Sequence, residues 1–451
     1  MSNQEFALLI YDNLTPYLLL FPFITGLYLL TLRKYYSSII DPMFLCVLTS
    51  GIAFIAPIYL YSMKLLETNQ LYYCIFSELM FWIGFAITYK RSYYKHGIIK
   101  NVDYLSKQVF RLFFLICVLS KIIIYVKLGI PILLINTQML YANAGGLAML
   151  GKVSSIMAFY CLVYSFHMFN KNKLKSICIF LFFSLTAVLD GSKGFVLSFV
   201  FSYFAYKTLF QETKARLPKY FYVIIAVSPI LILLLNTTSN NIEVAFANFL
   251  FRIVAYGDIY WYALPENDIN YINIENPFSH LFTGILGPLR LIDYNQSGVS
   301  LGNLLFWRVN DSSYYGETAG PNARPVILGY WLFGYWGILF CYISGCLMAF
   351  FTTHIKKYFT KSILSASFVG YIYLRSTSFA TDPVLTIFSI IPVCICLCLA
   401  WYLMLYFSWG NIVVISKNNS GICNNTAKIP IFNILIIAVF LIVLISIVEI
   451  I

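Results

Sequence analysis

The sequence predicts an all-α polytopic integral membrane protein of about 12 transmembrane helices, with one large outer segment between spans 8 and 9. Three observations carry this. Hydrophobic residues make up 60% of the 451-residue chain. Charged residues make up only 11%, less than half of the roughly one quarter usual in soluble domains. Apolar runs near the length of a bilayer crossing recur from end to end.

The expected spans are 14–32, 42–63, 71–89, 109–126, 153–169, 176–189, 195–210, 220–236, 326–352, 363–378, 383–408 and 430–450. The first apolar run, Leu18 to Leu32, has no basic region before it and no small-residue cleavage site after it, so it reads as a span and not as a signal peptide. Alternate connections are basic: Arg33 and Lys34; Lys90 to Lys107; Lys171, Lys173 and Lys175; Lys207 to Lys219; Lys356, Lys357 and Lys361; Lys417 and Lys428. The positive-inside rule puts these on the cytoplasmic side and both termini outside. It also puts outside 127–152, the LDGSKG tip at 189–194, the long stretch 237–325, and the turn from Arg375 to Asp382. No soluble domain, linker or internal repeat is visible, and 1–451 reads as a single membrane domain.

Composition excludes several functions. The net charge of +12 comes from Lys clustered in short connections, which is a topology signal and not a nucleic-acid surface. Ten of the 11 Cys sit in apolar stretches. Cys394, Cys396 and Cys398 would point different ways on a helix, so they read as small hydrophobes and no metal is expected. No Walker A loop, dinucleotide fingerprint, HExxH, G-x-S-x-G or Asp-x-Asp occurs. No cofactor is expected.

Function is therefore sought in 237–325. Val244 to Tyr262 is apolar and aromatic but carries Asn248, Arg252 and Asp258. It is expected to lie in the membrane interface, with Tyr256, Tyr260, Trp261 and Tyr262 at headgroup level. A second interfacial piece is expected at 280–292. The stretch 295–325 is rich in Asn, Gly, Ser and Tyr, which suits either sugar binding or an ordinary loop. All four basic residues of the segment are Arg: Arg252, Arg290, Arg308 and Arg324. With Arg375, five of the nine Arg in the chain face outward, whereas Lys dominates the other side. A guanidinium fork suits either a bidentate phosphate contact or a partly buried ion pair. Both uses stay open. The hairpin tip poses the same choice: Asp190 and Lys193 form a local pair, or Lys193 meets an anion. Glu78 and Lys121, inside spans three and four, are expected to pair with each other.

Three patches carry a resemblance: GSKG at 191–194, FRIVAYGD at 251–258 and ARPVILGYWLFGYWG at 323–337. With the span count and the late outer segment, they resemble the bacterial O-antigen polymerases (Wzy), or oligosaccharide repeat unit polymerases. The resemblance implies a GT-C-like membrane glycosyltransferase in the bacterial inner membrane, with its site facing the periplasm. It implies transfer of a growing glycan from undecaprenyl pyrophosphate onto a new lipid-linked repeat unit, with a chain-length regulator as a possible partner. The donor is a lipid, in line with the missing nucleotide motifs. On that reading Lys193, Arg252, Arg290 and Arg324 hold the pyrophosphate, with Arg375 as a further cation. Asp258 is the first candidate base, Glu317 the second and His280 the third. Three rivals remain: a lipid-linked oligosaccharide flippase, an O-antigen ligase that would use His280, and a non-enzymatic transporter or channel.

Overall fold

The computed structural model describes residues 1–90, 97–99, 102–131, 146–190, 195–215, 253–272, 277–282, 300–310, 320–359, 361–387, 389, 393, 414–418 and 421–425. They form an α-helical membrane protein. Five helical stretches are long and apolar enough to cross a membrane: Leu14–Thr31, Pro42–Ser62, Thr68–Thr88, Ser106–Leu128 and Pro325–Tyr358. Shorter or less apolar helices cover most of the expected spans 153–169, 176–189, 195–210 and 363–378. The expected spans 220–236 and 430–450, and most of 383–408, lie outside the described residues.

In chain order the helices are α1 (Asn3–Asp12), α2 (Leu14–Thr31), α3 (Pro42–Ser62), α4 (Thr68–Thr88), α5 (Val102–Leu128), α6 (Gly146–Met168), α7 (Lys173–Leu189) and α8 (Phe195–Phe204). Then come α9 (Asp258–Ala263), α10 (Pro277–Leu281), α11 (Leu301–Val309), α12 (Pro325–Phe333), α13 (Gly337–Thr353) and α14 (Ile363–Ser376). The contacts divide the chain into two compact units. One is built from 1–90, 216–352 and 374–388, the other from 91–215, 353–373 and 389–451.

The first unit is assembled around α3. Asp41 caps this helix by accepting from the Met43 amide at 3.0 Å, and Pro42 presets its first turn. Helix packing here runs through small residues, as expected where no water drives apolar faces together. Gly51 of α3 lies against Thr25 and Tyr28 of α2. Gly84 of α4 lies against the Tyr342 backbone of α13, and Gly345 of α13 lies against the Phe81 backbone of α4.

Two elements of this unit take a form the sequence does not specify. The fifth stretch, Pro325–Tyr358, which carries the span expected over 326–352, is not one straight helix. Gly334 has φ +57° and ψ −136°, a conformation that needs glycine, and the chain reverses there. Gly329 and Gly337 then meet backbone to backbone, so α12 is a nine-residue half-helix folded against α13. At about 1.5 Å per residue, α12 is only about 13 Å long, which is too short to cross a bilayer. The turn expected at 375–382 is present, and most of it is packed inside the protein. Thr377, Phe379, Ala380 and Asp382 are buried. The Thr377 carbonyl accepts from Cys46 Sγ at 3.4 Å, in the first turns of α3. Its backbone groups are satisfied internally: the Thr381 and Asp382 amides donate to the Ser378 carbonyl at 2.9 and 2.7 Å.

In the second unit, α5 packs on α6 and the Tyr160 hydroxyl donates to the Ser106 carbonyl at 2.9 Å. Asp190, the C-cap of α7, accepts from Lys121 and, at 2.9 Å, from the Tyr125 hydroxyl, both on α5. Three short strands, β1 (Gly97–Ile99), β2 (Val414–Asn418) and β3 (Gly421–Asn425), pair antiparallel in that order.

The close glycine contacts yield a test. Gly345→Leu would drive a side chain into the Phe81 carbonyl, and overpacking of this kind costs about 1–3 kcal/mol. Gly26 has nothing within 4 Å, so Gly26→Ala should be neutral or stabilise by about 0.5–1 kcal/mol. Thermal unfolding of the purified variants in detergent is expected to occur at lower temperature for Gly345→Leu and at the same or higher temperature for Gly26→Ala.

Candidate functional site

A polar cluster is built into the first unit at the middle of α3. The sequence of α3 makes room for it: Ser50, Ala53 and Ala56 repeat at a spacing of three and leave a shallow face. Gly257 sits in that face, and a Cβ there would come within 2.6 Å of the Ala53 carbonyl oxygen. Residues 255–263 therefore lie against the centre of α3, as one 3-10 turn followed by α9. From there the chain rises toward the helix ends, where Asn267 accepts from Gln70 in the first turn of α4 at 2.7 Å.

This overturns the interfacial placement of the aromatic run. Tyr260 and Trp261 are fully buried and Tyr262 nearly so; only Tyr256 is exposed. Trp261 stacks on Phe6 of α1 at 3.9 Å, and its Nε1 donates to Asn3 at 3.0 Å. The run is aromatic because it fills a core between helices. The hydropathy of such a segment does not distinguish a core from a headgroup layer.

Arg324 precedes Pro325, which fixes it in an extended conformation at the N-cap of α12. It is 2% exposed. Its Nη1 donates to the Tyr256 carbonyl at 3.3 Å and its Nη2 to Ser50 Oγ at 3.1 Å. Among the described residues its Nε has no partner, and it makes no ion pair. One residue earlier, the Ala323 amide donates to Asp382 at 3.3 Å, and Asp382 also accepts from the Leu385 amide at 2.9 Å. Arg324 thus ties α3, the 255–257 turn and α12 together, while Ala323 ties in the 377–382 turn.

Asp258 opens α9, half-buried, with Oδ1 accepting from the Ile259 amide at 2.9 Å. Desolvation pushes its carboxyl up to about 7, against the pull of the Ile259 amide and of Arg324. Burial likewise raises Asp382 to about 6. Glu78, at the middle of α4, is 8% exposed and accepts at Oε1 from the Tyr28 hydroxyl at 3.0 Å and from Trp82 Nε1 at 2.9 Å.

Of the sequence candidates, Asp258 and Arg324 come together in this cluster. His280 lies elsewhere in the same unit, buried and edge-on to Trp331 at 4.6 Å; burial lowers it to about 4, which keeps it neutral. Arg375 is exposed at the end of α14. Lys193, Arg252, Arg290 and Glu317 lie outside the described residues. Arg308 takes the structural use foreseen for some of the arginines: its Nε meets Asp268 at 2.8 Å and its guanidinium lies over Tyr271 at 4.3 Å. Glu78 and Lys121, expected to pair with each other, each have other partners among the described residues. Lys121 serves Asp190 in the second unit, and Glu78 is held by Tyr28 and Trp82 in the first. Ser50, Glu78 and Tyr260 were not singled out as site residues. A lone Glu inside an apolar run was the one signal available, and its partners are remote in sequence.

Among the described residues, no group of three or more His, Cys, Asp or Glu side chains is placed to hold a metal ion. The chain matches no protein-family model, no curated protein and no solved structure.

The raised Asp258 carboxyl sets a pH dependence. The folded state binds this proton more tightly than the unfolded state, so the contribution is favourable below about 4 and is lost as pH rises toward about 7. Asp258→Asn should flatten the fall in thermal stability across that window by roughly 1–3 kcal/mol. Unfolding followed from pH 4 to pH 7 in detergent checks this, and an unchanged slope would remove Asp258 as its source.

Proposed function

We propose that the protein polymerises lipid-linked oligosaccharide repeat units, with 237–325 facing the outside of a bacterial inner membrane and dipping into the helix bundle. The single observation that supports the reading best is the setting of Asp258. It opens α9 two residues after the Tyr256 carbonyl that the buried Arg324 guanidinium holds, and desolvation there raises its carboxyl to about 7. A base works best when its pKa lies near the working pH. Backbone that leaves helical form beside the middle of a span is tolerated only where protein or a polar cleft surrounds it. The 255–257 turn, the residues before Arg324 and the 377–382 turn all meet this condition beside α3.

In the proposed reaction the acceptor sugar hydroxyl attacks the anomeric carbon of the donor. The carbon–oxygen bond to the lipid pyrophosphate breaks, and the pyrophosphate leaves with the electron pair. Asp258 takes the hydroxyl proton. Arg324, enclosed as it is, serves by fixing the Tyr256 carbonyl and hence the start of α9. Stabilising the leaving group falls to the cations Lys193, Arg252 and Arg290. A His-dependent ligase gains no support, because His280 is buried against Trp331. The pairing of β1 with β2 supports the expected topology, since connections 97–99 and 414–416 must then share one side of the membrane, as their basic flanks require.

Deletion of the gene in its native host should leave lipopolysaccharide with a single repeat unit and no ladder on a silver-stained gel. Complementation with Arg252→Ala or Asp258→Asn should fail to restore the ladder at unchanged membrane protein levels, with polymer reduced at least about 100-fold for the Asp258 variant. A full ladder from Asp258→Asn rejects the base assignment. A ladder unaffected by gene deletion rejects the glycan reading altogether. Arg252→Lys separates fork from charge: full rescue would mean that charge alone suffices.

A further inference from the structure

Two buried charges of opposite sign lie in the first unit without forming an ion pair among the described residues: Glu78 on α4 and Arg324 before α12, 8% and 2% exposed. An uncompensated charge inside apolar packing is costly, so each needs either a partner or solvation. Their direct bonds go elsewhere. Both donors to Glu78 reach Oε1, and Oε2 accepts from none of the described residues. Arg324 spends both terminal nitrogens on Tyr256 and Ser50, and its buried Nε has no partner among the described residues. Tyr260, fully buried on α9, carries a hydroxyl in the same condition. Its phenol is held neutral by burial first and by the Glu78 charge second, with Arg324 acting in the opposite sense. Packing brings the three together on α3: Tyr28, which holds Glu78, lies against Gly51, Arg324 bonds the adjoining Ser50, and α9 with Tyr260 packs on the same helix.

The groups left over are complementary. Nε donates, Oε2 accepts, and a tyrosine hydroxyl does both. A polar space with two to four such partners holds water, whereas an apolar one stays dry. We propose that Glu78 is the counter-charge of Arg324, joined to it through the Tyr260 hydroxyl and enclosed water in a hydrated polar site inside the bundle. The site binds one α4 residue, one α9 residue and the start of α12 into a charge-balanced unit. In this way Arg324 is held in place without a carboxylate touching it. The inference goes beyond the polymerase reading and does not depend on it.

Two measurements on the full-length protein in detergent test it, and neither uses activity. The first is hydroxyl-radical labelling by pulsed radiolysis with mass spectrometry, in which bound water generates the label locally. Tyr260 should label several times faster than Tyr160, which is equally buried but donates its hydroxyl to the Ser106 carbonyl. Equal rates overturn the hydrated site. The second is a double-mutant cycle by SDS-driven unfolding in mixed micelles, with Glu78→Gln, Arg324→Gln and both together. The effect of Glu78→Gln on the unfolding equilibrium should be at least about fivefold smaller in the Arg324→Gln background than in the wild type, a coupling within the usual range for residues in one network. Additive effects overturn the pairing. Should a single variant fail to accumulate, the labelling of the wild-type protein still decides the proposal.

Discussion

Burial of the Arg324 guanidinium at the middle of α3 is the constraint on which the first unit depends. A cation at 2% exposure survives only if its donors are matched. Its matches are a serine hydroxyl from α3 and a carbonyl from the 255–257 turn. Both are neutral, so they fix position without discharging the cation. Because Tyr256 and Ser50 belong to different elements, these two bonds also fix the start of α9, with Asp258 and Tyr260, against α3. Removing either bond leaves part of a buried charge unmatched, which is costly.

The close approach needed for these bonds is set by small residues. Ala53 and Ala56 offer no bulk, and Gly257 offers no Cβ, so turn and helix meet backbone to backbone. The same solution recurs at Gly84 with Tyr342, at Gly345 with Phe81 and at Gly329 with Gly337. These contacts let α12 fold back on α13 and place Arg324 at the foot of a half-helix. Packing of this kind and the polar cluster are therefore one design. Glycine admits the backbone, the backbone brings a carbonyl, and the carbonyl holds the guanidinium.

The second unit handles charge in a more local way. Lys121 and Tyr125 lie one turn apart on α5 and together hold Asp190 at the end of α7. The charged Asp of the LDGSKG tip thus serves to fasten one helix end to its neighbour. A carboxylate at a helix C-terminus opposes the helix dipole, and the ammonium of Lys121 offsets that cost.

The sequence by itself determined the class of the protein. Apolar runs of bilayer length, few charges and basic alternate connections require membrane helices, because each property is additive along the chain and needs no partner to be read. It also singled out Asp258 and Arg324, since charges in an apolar setting stand out. It did not determine where those residues sit. The aromatic run 256–262 reads the same whether it faces headgroups or fills a core, and only the small face of α3 decides for the core. The charge of the connections assigns the turn near 377–382 to a side of the membrane but not to a depth, and the contacts with Ala323 and Cys46 bury it. The pairings of Lys121 with Asp190 and of Arg324 with Ser50 join positions 69 and 274 residues apart. Only the tertiary structure selects such partners, because burial makes an unmatched charge too costly and the helices that pack nearby supply the match.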